Sequence, residues 1–126
     1  MWENKQKTLN KTADFLGTGL HSGKTVSMKI HPAEANTGIV FRRTDLKKNN
    51  EIKANYENVS SAKLCTKIEN YHGVSISTIE HLMASFYICG VDNSVVELNG
   101  EEVPIMDGSA IEFVKKIEKT VSYTHL

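Results

Sequence analysis

The sequence predicts an α+β fold, a two-layer sandwich in which a β-sheet is covered on one side by two amphipathic helices. Apolar Val26, Met28 and Ile30 alternate with polar neighbours, which is the period of a half-buried strand. Two later segments, residues 79–86 and 111–117, carry apolar residues at the spacing of one helix face. With 126 residues the chain has the size of one ordinary domain with a single hydrophobic core.

The first half of the chain predicts mainly strands. Alternation places a strand at Thr25 to His31, Pro32 to Gly38 is typical of a turn, and an extended apolar run resumes at Ile39 to Phe41. We therefore predict that the two runs pair as a hairpin. The polar stretch from Lys47 to Glu51 predicts a surface loop. Further strands are predicted at residues 52–56, 64–68, 74–76 and 93–98, with a turn at 99–100.

Two segments carry the start signals of helices. Ser77 and Glu80 match a capping box, in which each side chain satisfies a free backbone N–H of the first turn. Gly90 is placed to end this helix in the left-handed conformation. Ser109 and Glu112 repeat the capping pattern ahead of the second helix. The predicted buried faces are Ile79, Leu82, Met83 and Phe86 in the first helix and Ile111, Val114 and Ile117 in the second.

Charge and cysteine content exclude several classes of protein. The 15 basic and 15 acidic residues cancel, so nothing favours nucleic acid or an anionic membrane as the partner. Cys65 and Cys89 lack metal-ligand or disulfide spacing, which favours small buried side chains in a reducing compartment. No stretch approaches the roughly 18 to 20 apolar residues of a transmembrane segment, and Met1 to Lys11 is polar. We expect a cytoplasmic protein.

The glycine-rich segment Gly17 to Thr25 is close to the phosphate-binding pattern GxxxxGK[ST]. Thr18 stands where that pattern requires its first glycine, and the segment leads into the predicted strand at Val26 instead of a helix that could bind phosphate. We therefore reject a nucleotide phosphate loop. The remaining interpretation is a tight hairpin turn that presents Leu20 and His21, with glycines that supply positive φ.

Glu80 and His81 form the most chemically suggestive pair in the chain. The positive end of a helix dipole favours an ionised Glu80 and a neutral His81, which are the states of a general base and a metal ligand. A catalytic zinc needs three protein ligands, however, and no nearby cluster supplies the other two. On residue chemistry alone a metal site and a structural capping role both stay open, and the structural role is favoured.

The remaining polar candidates, an aspartate and three histidines, show no pattern that indicates catalysis or metal binding. Asp107, in the turn from Pro104 to Ser109, is predicted to cap backbone amides. His31, His72 and His125 have no carboxylate or histidine partner at a recognisable spacing and stay unassigned.

Five motifs follow one another along the chain: Gly17-Thr18-Gly19-Leu20-His21-Ser22-Gly23, Ala35-Asn36-Thr37-Gly38-Ile39, Arg42-Arg43-Thr44-Asp45-Leu46, Ser77-Thr78-Ile79-Glu80-His81-Leu82 and Pro104-Ile105-Met106-Asp107-Gly108-Ser109-Ala110. In this order they resemble the amino-terminal domain of the UDP-3-O-acyl-N-acetylglucosamine deacetylase family. The resemblance covers roughly Lys5 to Lys119 and implies that residues 1–121 form the first of the family's two similar domains. We expect residues 122–126 to be an unmatched tail and the second domain to be absent.

This resemblance implies a Zn²⁺-dependent hydrolase that removes the N-acetyl group of UDP-3-O-acyl-N-acetylglucosamine, the committed step of lipid A synthesis in Gram-negative bacteria. It implies that His81 is the first zinc ligand and that Glu80 activates the attacking water. It likewise implies that Leu20, His21 and Cys65 line the substrate pocket.

The remaining zinc ligands of the family, a histidine and an aspartate, belong to the second domain. We therefore expect a truncated chain that is inactive alone and needs that domain as its partner. The alternative is a non-catalytic binding or scaffold module that keeps the domain fold.

Overall fold

The computed structural model describes residues 5–55, 59–61, 66–106 and 110–125. These residues form two helices, α1 (Glu80–Cys89) and α2 (Ile111–Glu118), which both follow short strands. In chain order the strands are β1 (Lys5–Leu9), β2 (Ala13–Gly19), β3 (Thr25–Pro32), β4 (Ile39–Arg43), β5 (Glu51–Lys53), β6 (Val59–Ser61), β7 (Thr66–Glu69), β8 (Ser75–Ser77), β9 (Ser94–Leu98), β10 (Pro104–Ile105) and β11 (Val121–His125).

The main sheet is mixed and has six strands in the order β10-β2-β3-β9-β4-β5. Its neighbours are antiparallel except for the parallel pair β4 and β9. The predicted hairpin of β3 with β4 is therefore wrong, because β9 lies between them and pairs with both. The inward side chains of β9, among them Val96 and Leu98, are fully buried. Such an apolar strand is most stable at the centre of a sheet, where both of its edges are paired.

Helices and sheet share one hydrophobic core, which confirms the predicted two-layer α+β sandwich. Phe15 of β2 and Phe113 of α2 meet edge to face with ring centroids 5.2 Å apart. This contact joins the helix layer to the sheet, because aromatic pairs in this geometry stabilise beyond the area they bury. The largest buried side chains of the core include Met28, Ile30, Phe41, Leu82, Phe86, Leu98, Phe113 and Ile117.

The two helix faces agree with the sequence to different degrees. In α1 the predicted apolar face is confirmed, with Met83 partly buried and its other three members buried. In α2 the prediction for Ile111 is wrong, because its side chain is 55% exposed while Phe113 and Ile117 are buried. Residues two apart on a helix point about 200° apart, so a helix that turns Phe113 inward turns Ile111 outward.

The predicted capping box at the start of α1 is not formed. Ser77 lies in β8, where its N–H donates to Glu101 and its carbonyl accepts from Val103. The helix instead begins after Ile79, with no side-chain cap. Because Ser77 pairs with residues 101–103 as part of a strand, it does not cap the helix. The prediction for Gly90 is confirmed, since it ends α1 in the left-handed region at φ 70°.

Other local predictions have mixed outcomes. Helix α2 begins after Ala110 without a side-chain cap, while Ser109 and Asp107 lie outside the described residues. The glycine-rich segment forms the turn of the β2–β3 hairpin, with Gly23 at φ 69°, and it continues into a strand as predicted. Cys89 is a buried free cysteine, as expected. None of the helices in the described ranges is long and apolar enough to cross a membrane.

Strand β11 pairs antiparallel with β1, from Leu9 opposite Val121 to Lys5 opposite His125. The two form a separate two-stranded sheet. The residues predicted as an unmatched tail therefore overlap this strand, while the division of the chain at residue 121 stays a prediction.

Candidate active site

Glu80 is the first residue of α1 and has one carboxylate oxygen in use and one without a partner. Its Oε2 accepts a hydrogen bond from the backbone N–H of Thr66 at 3.4 Å. Its Oε1 is shielded from solvent and has no hydrogen-bond partner among the described residues. A buried acceptor without a donor is unfavourable by about 1–3 kcal/mol. Glu80 therefore holds a buried acceptor whose hydrogen-bonding capacity is unused among the described residues.

His81 follows Glu80 and has an exposed side chain. No described residue makes a hydrogen bond to its imidazole, whereas its backbone carbonyl accepts the Ser85 hydroxyl at 2.7 Å. His81 also borders a cavity of about 10 Å³, which leaves room for at most about one water molecule. The cavity is lined by Thr78, His81, Val103, Pro104, Ile105, Met106 and Phe113. His81 thus presents ring nitrogens that are free to bind a ligand.

Leu20 and His21 lie in the turn between β2 and β3, as the sequence predicted. Leu20 is an exposed apolar residue, with 54% of its surface accessible, and His21 is exposed beside it. The N–H groups of His21 and Ser22 donate to the carboxylate of Glu102 at 2.8 and 3.0 Å. These two bonds fix the backbone of the turn and leave the Leu20 side chain facing solvent.

Glu102 is a buried carboxylate that the sequence interpretation missed. Only 2% of its surface is exposed, and besides the two amides it accepts the hydroxyl of Thr78 at 3.1 Å. Burial raises the pKa of this carboxyl, but hydrogen bonds from His21, Ser22 and Thr78 outweigh it, so the net pKa lies below the ordinary value. The one feature of the sequence that could have indicated burial of Glu102 is its position directly before the apolar Val103.

Thr78 lies two residues before Glu80 and has φ 61°, in the left-handed region. A β-branched residue in this region is strained by about 1–3 kcal/mol. Such strain persists only where surrounding contacts maintain it, and it clusters at functional sites. Sequence reasoning had no signal for it, because threonine is not a residue that favours positive φ.

The structure brings the predicted site residues together to different degrees. Glu80 and His81 share the first turn of α1, and Leu20 and His21 connect to that turn through Glu102 and Thr78. Cys65 lies outside the described residues, so its assignment to the pocket stays a prediction.

The side chains of the candidate site could supply part of a metal-binding site, but not all of its ligands. Within the described ranges, no group of three or more His, Cys, Asp or Glu side chains could hold a metal ion. A catalytic zinc takes three protein ligands. The imidazole of His81 fits one of them, and the unpartnered oxygen of Glu80, the preceding residue, fits a general base.

Comparison with known proteins gives one consistent family. The family described as UDP-3-O-acyl N-acetylglycosamine deacetylase matches residues 6–124. A curated relative from a Geobacter species, named UDP-3-O-acyl-N-acetylglucosamine deacetylase, is 53% identical over 114 residues, which are 90% of this chain and 37% of the relative.

Two further relatives carry the same name. The protein of Geotalea uraniireducens is 50% identical over 117 residues, covering 93% of this chain and 38% of the relative. That of Pseudoalteromonas atlantica is 50% identical over 110 residues, covering 87% and 36%. The chain thus spans somewhat more than a third of the length of these relatives.

Proposed function

Because the chain belongs to the UDP-3-O-acyl N-acetylglycosamine deacetylase family, we propose that it carries the general base and one metal ligand of such an enzyme. The reaction is hydrolysis of the N-acetyl amide of UDP-3-O-acyl-N-acetylglucosamine, in the pathway to lipid A. Its products are acetate and the free amino sugar. The observation that carries the proposal is that Glu80, with an unpartnered and shielded carboxylate oxygen, is followed directly in the first turn of α1 by the exposed imidazole of His81.

Glu80 acts as the general base in this proposal. Glu80 is the first residue of α1, where the helix dipole places partial positive charge near its carboxylate. The bond from Thr66 fixes one oxygen and leaves Oε1 to take a proton from the attacking water. As the C–N bond breaks, the protonated Glu80 returns that proton to the amine nitrogen. One carboxylate then serves both proton transfers and returns to its starting state.

His81 would hold a zinc ion, and its exposed imidazole, which has no hydrogen-bond partner among the described residues, supports this role. When bound, zinc lowers the pKa of water and polarises an acyl carbonyl. We place the other protein ligands in the part of the relatives that this chain does not span.

The turn between β2 and β3 contributes to the substrate pocket. An exposed leucine is suited to contact an apolar part of the substrate, and Leu20 presents such a side chain beside His21. We assign Cys65 to the same pocket on the family resemblance alone. The free thiol of Cys89 supports placing the reaction in the reducing cytoplasm.

The test is to measure zinc content and deacetylase activity of this chain, alone and mixed with the remaining part of the Geobacter relative, produced separately. We expect stoichiometric zinc and turnover only in the mixture. Glu80→Ala and His81→Ala should abolish turnover, whereas Glu34→Ala and His72→Ala, at exposed positions, should not.

A second outcome would favour the alternative function. If the two pieces associate and neither zinc nor turnover appears, the chain is a binding or scaffold module that keeps the family fold. Association is measured independently, by analytical ultracentrifugation of the same mixture.

A further inference from the structure

The two predicted site segments are about 60 residues apart in sequence, and one side chain joins them. Glu102 accepts the N–H of Ser22 on Oε1, and it accepts the N–H of His21 and the hydroxyl of Thr78 on Oε2. The turn that carries Leu20 and the junction that leads to Glu80 therefore share one carboxylate.

The surroundings of Glu102 leave its carboxylate little freedom. The residue is buried, so its charge depends on the surrounding hydrogen-bond donors for stabilisation. Gly19 provides the space, because a Cβ at that position would lie closer than 3.0 Å to Oε1. The carboxylate thus occupies a volume that any side chain at position 19 would take.

The backbone on either side of Glu102 also forms hydrogen bonds with the segment that leads into α1. Ser77 forms a parallel bridge with Glu102, in which its N–H donates to Glu101 at 2.9 Å and its carbonyl accepts from Val103 at 3.1 Å. Thr78 follows directly, strained at φ 61°, with its hydroxyl on Glu102. The chain direction into α1 is therefore set by residues 101–103 and not by a helix cap.

We propose that Glu102 is a positioning residue for the reaction. Its carboxylate fixes the Leu20–His21 turn and the Glu80–His81 turn in one geometry, so that pocket and base face the same substrate. Preorganisation of this kind matters because displacements of about 1 Å reduce rates by about 100-fold. The inference rests on the proposed function, since Glu80 and His81 are site residues only under it.

The test records backbone amide and His81 ring NMR shifts of this chain in two variants. Glu102→Gln replaces one acceptor oxygen by an NH₂ group, which opposes an N–H or O–H donor in either orientation. Thr78→Val keeps the branched shape and removes the hydroxyl. The matched controls are Glu101→Gln, at the exposed neighbouring position, and Thr78→Ser, which keeps the hydroxyl.

We expect both variants to move the amides of residues 20–22 and the amides and ring of residues 80–81 together, by more than a line width. Both controls should leave these signals in place. The proposal is overturned if Glu102→Gln moves only residues 20–22, or if Thr78→Val leaves residues 80–81 unchanged. Should Glu102→Gln fail to fold, the milder Thr78→Val decides.

A kinetic measurement separates this inference from the proposed function. In the reconstituted mixture, Glu102→Gln should lower kcat at least 10-fold and also raise KM, because both the base and the pocket turn that Glu102 holds would be displaced. Absence of turnover with the unmodified chain would count against the proposed function. The NMR shifts need neither metal nor substrate, so they would still decide whether Glu102 couples the two segments.

Discussion

The carboxylate of Glu97 lies 3.5 Å from the guanidinium of Arg42, and the two residues occupy directly opposite positions on the parallel strands β9 and β4. The pair belongs to a row of directly opposed residues that crosses five strands with alternating charge. Opposite charges on facing positions stabilise the pairing of strands. The row consists of Asp14, Lys29, Glu97, Arg42 and Glu51.

Glu97 should contribute to stability in a pH-dependent way. A hydrogen bond from His31 and the charge of Arg42 hold the pKa of Glu97 below its ordinary value despite partial burial, and Lys29 lies opposite on β3. A lowered folded-state pKa adds stability above the unfolded value of about 4.3, and this is lost as pH falls through the folded value. Glu97→Gln should therefore lower the free energy of unfolding at pH 7 by about 1 kcal/mol.

The measurement is urea unfolding of the chain between pH 7 and pH 3. The difference between the Glu97→Gln variant and the unmodified chain should shrink as the carboxylate becomes protonated. Glu34→Gln, at an exposed position, serves as the control and should give a small difference at every pH. A Glu97→Gln difference that persists at pH 3 would show that shape, and not charge, is what Glu97 contributes.

Substitution of Gly19 should displace the Glu102 carboxylate. An added Cβ would lie closer than 3.0 Å to Glu102 Oε1 and to Ser22 Oγ. We expect Gly19→Ala to lower the free energy of unfolding by about 1–3 kcal/mol, as overpacking does, and to move the Ser22 amide in NMR spectra. Stability equal to that of the unmodified chain would mean that Glu102 has room to move away.

The end of α1 should depend on glycine for a conformational reason. Gly90 has φ 70°, and an added Cβ would also meet Lys7 at 3.3 Å. Left-handed backbone with a side chain is unfavourable by about 1–2 kcal/mol, so Gly90→Ala should lower stability by that amount in chemical denaturation. Gly100→Ala is the matched control, because a Cβ there meets nothing within 4 Å. Equal effects of the two substitutions would contradict the prediction.

Leu82 should be among the residues most important for stability. It is fully buried on the inner face of α1, and truncation of such a side chain costs about 2–5 kcal/mol through lost burial and the cavity left behind. Thermal or urea unfolding of Leu82→Ala measures the loss. Leu16 is 68% exposed, and Leu16→Ala should change stability by no more than about 0.5 kcal/mol. A loss for Leu16→Ala as large as for Leu82→Ala would be inconsistent with this packing.

Substitution of Glu80 should not lower the free energy of unfolding, in contrast to substitution of the core residues. The shielded Oε1 of Glu80 lacks a hydrogen-bond donor among the described residues, so a neutral amide there avoids part of the cost of burying a carboxylate oxygen without a partner. We expect Glu80→Gln to leave stability unchanged or to raise it by up to about 1 kcal/mol, while turnover in the reconstituted mixture is lost. Glu97→Gln is a useful comparison, since its carboxylate has partners. A clear loss of stability in Glu80→Gln would indicate that the carboxylate is structural.

The sequence alone predicted the features that depend on local physics. Alternation located β3, apolar spacing gave the buried face of α1, and Gly90 marked the end of that helix. The glycines of residues 17–23 predicted the turn that presents Leu20 and His21. Each of these signals lies within a few residues of the structure that it predicts, so no tertiary contact was needed to interpret it.

The candidate site was only partly within reach of the sequence. Glu80 and His81 were identifiable as a pair, and their family correspondence came from motif resemblance. Glu102 was not identifiable, because an acidic residue is recognised as buried only when its donors are known. His31 was left unassigned for the same reason, since its partner Glu97 lies 66 residues away on a neighbouring strand.

Only the tertiary structure decided the order of the strands and the start of α1. The sequence favoured pairing β3 with β4, but β9 lies between them because burial of Val96 and Leu98 outweighs the short connection. The sequence also favoured Ser77 as a helix cap, but in the structure Ser77 pairs with residues 101–103 as part of a strand. Both outcomes depend on competition between distant segments for the same hydrogen-bonding groups and the same buried volume, which no local pattern records.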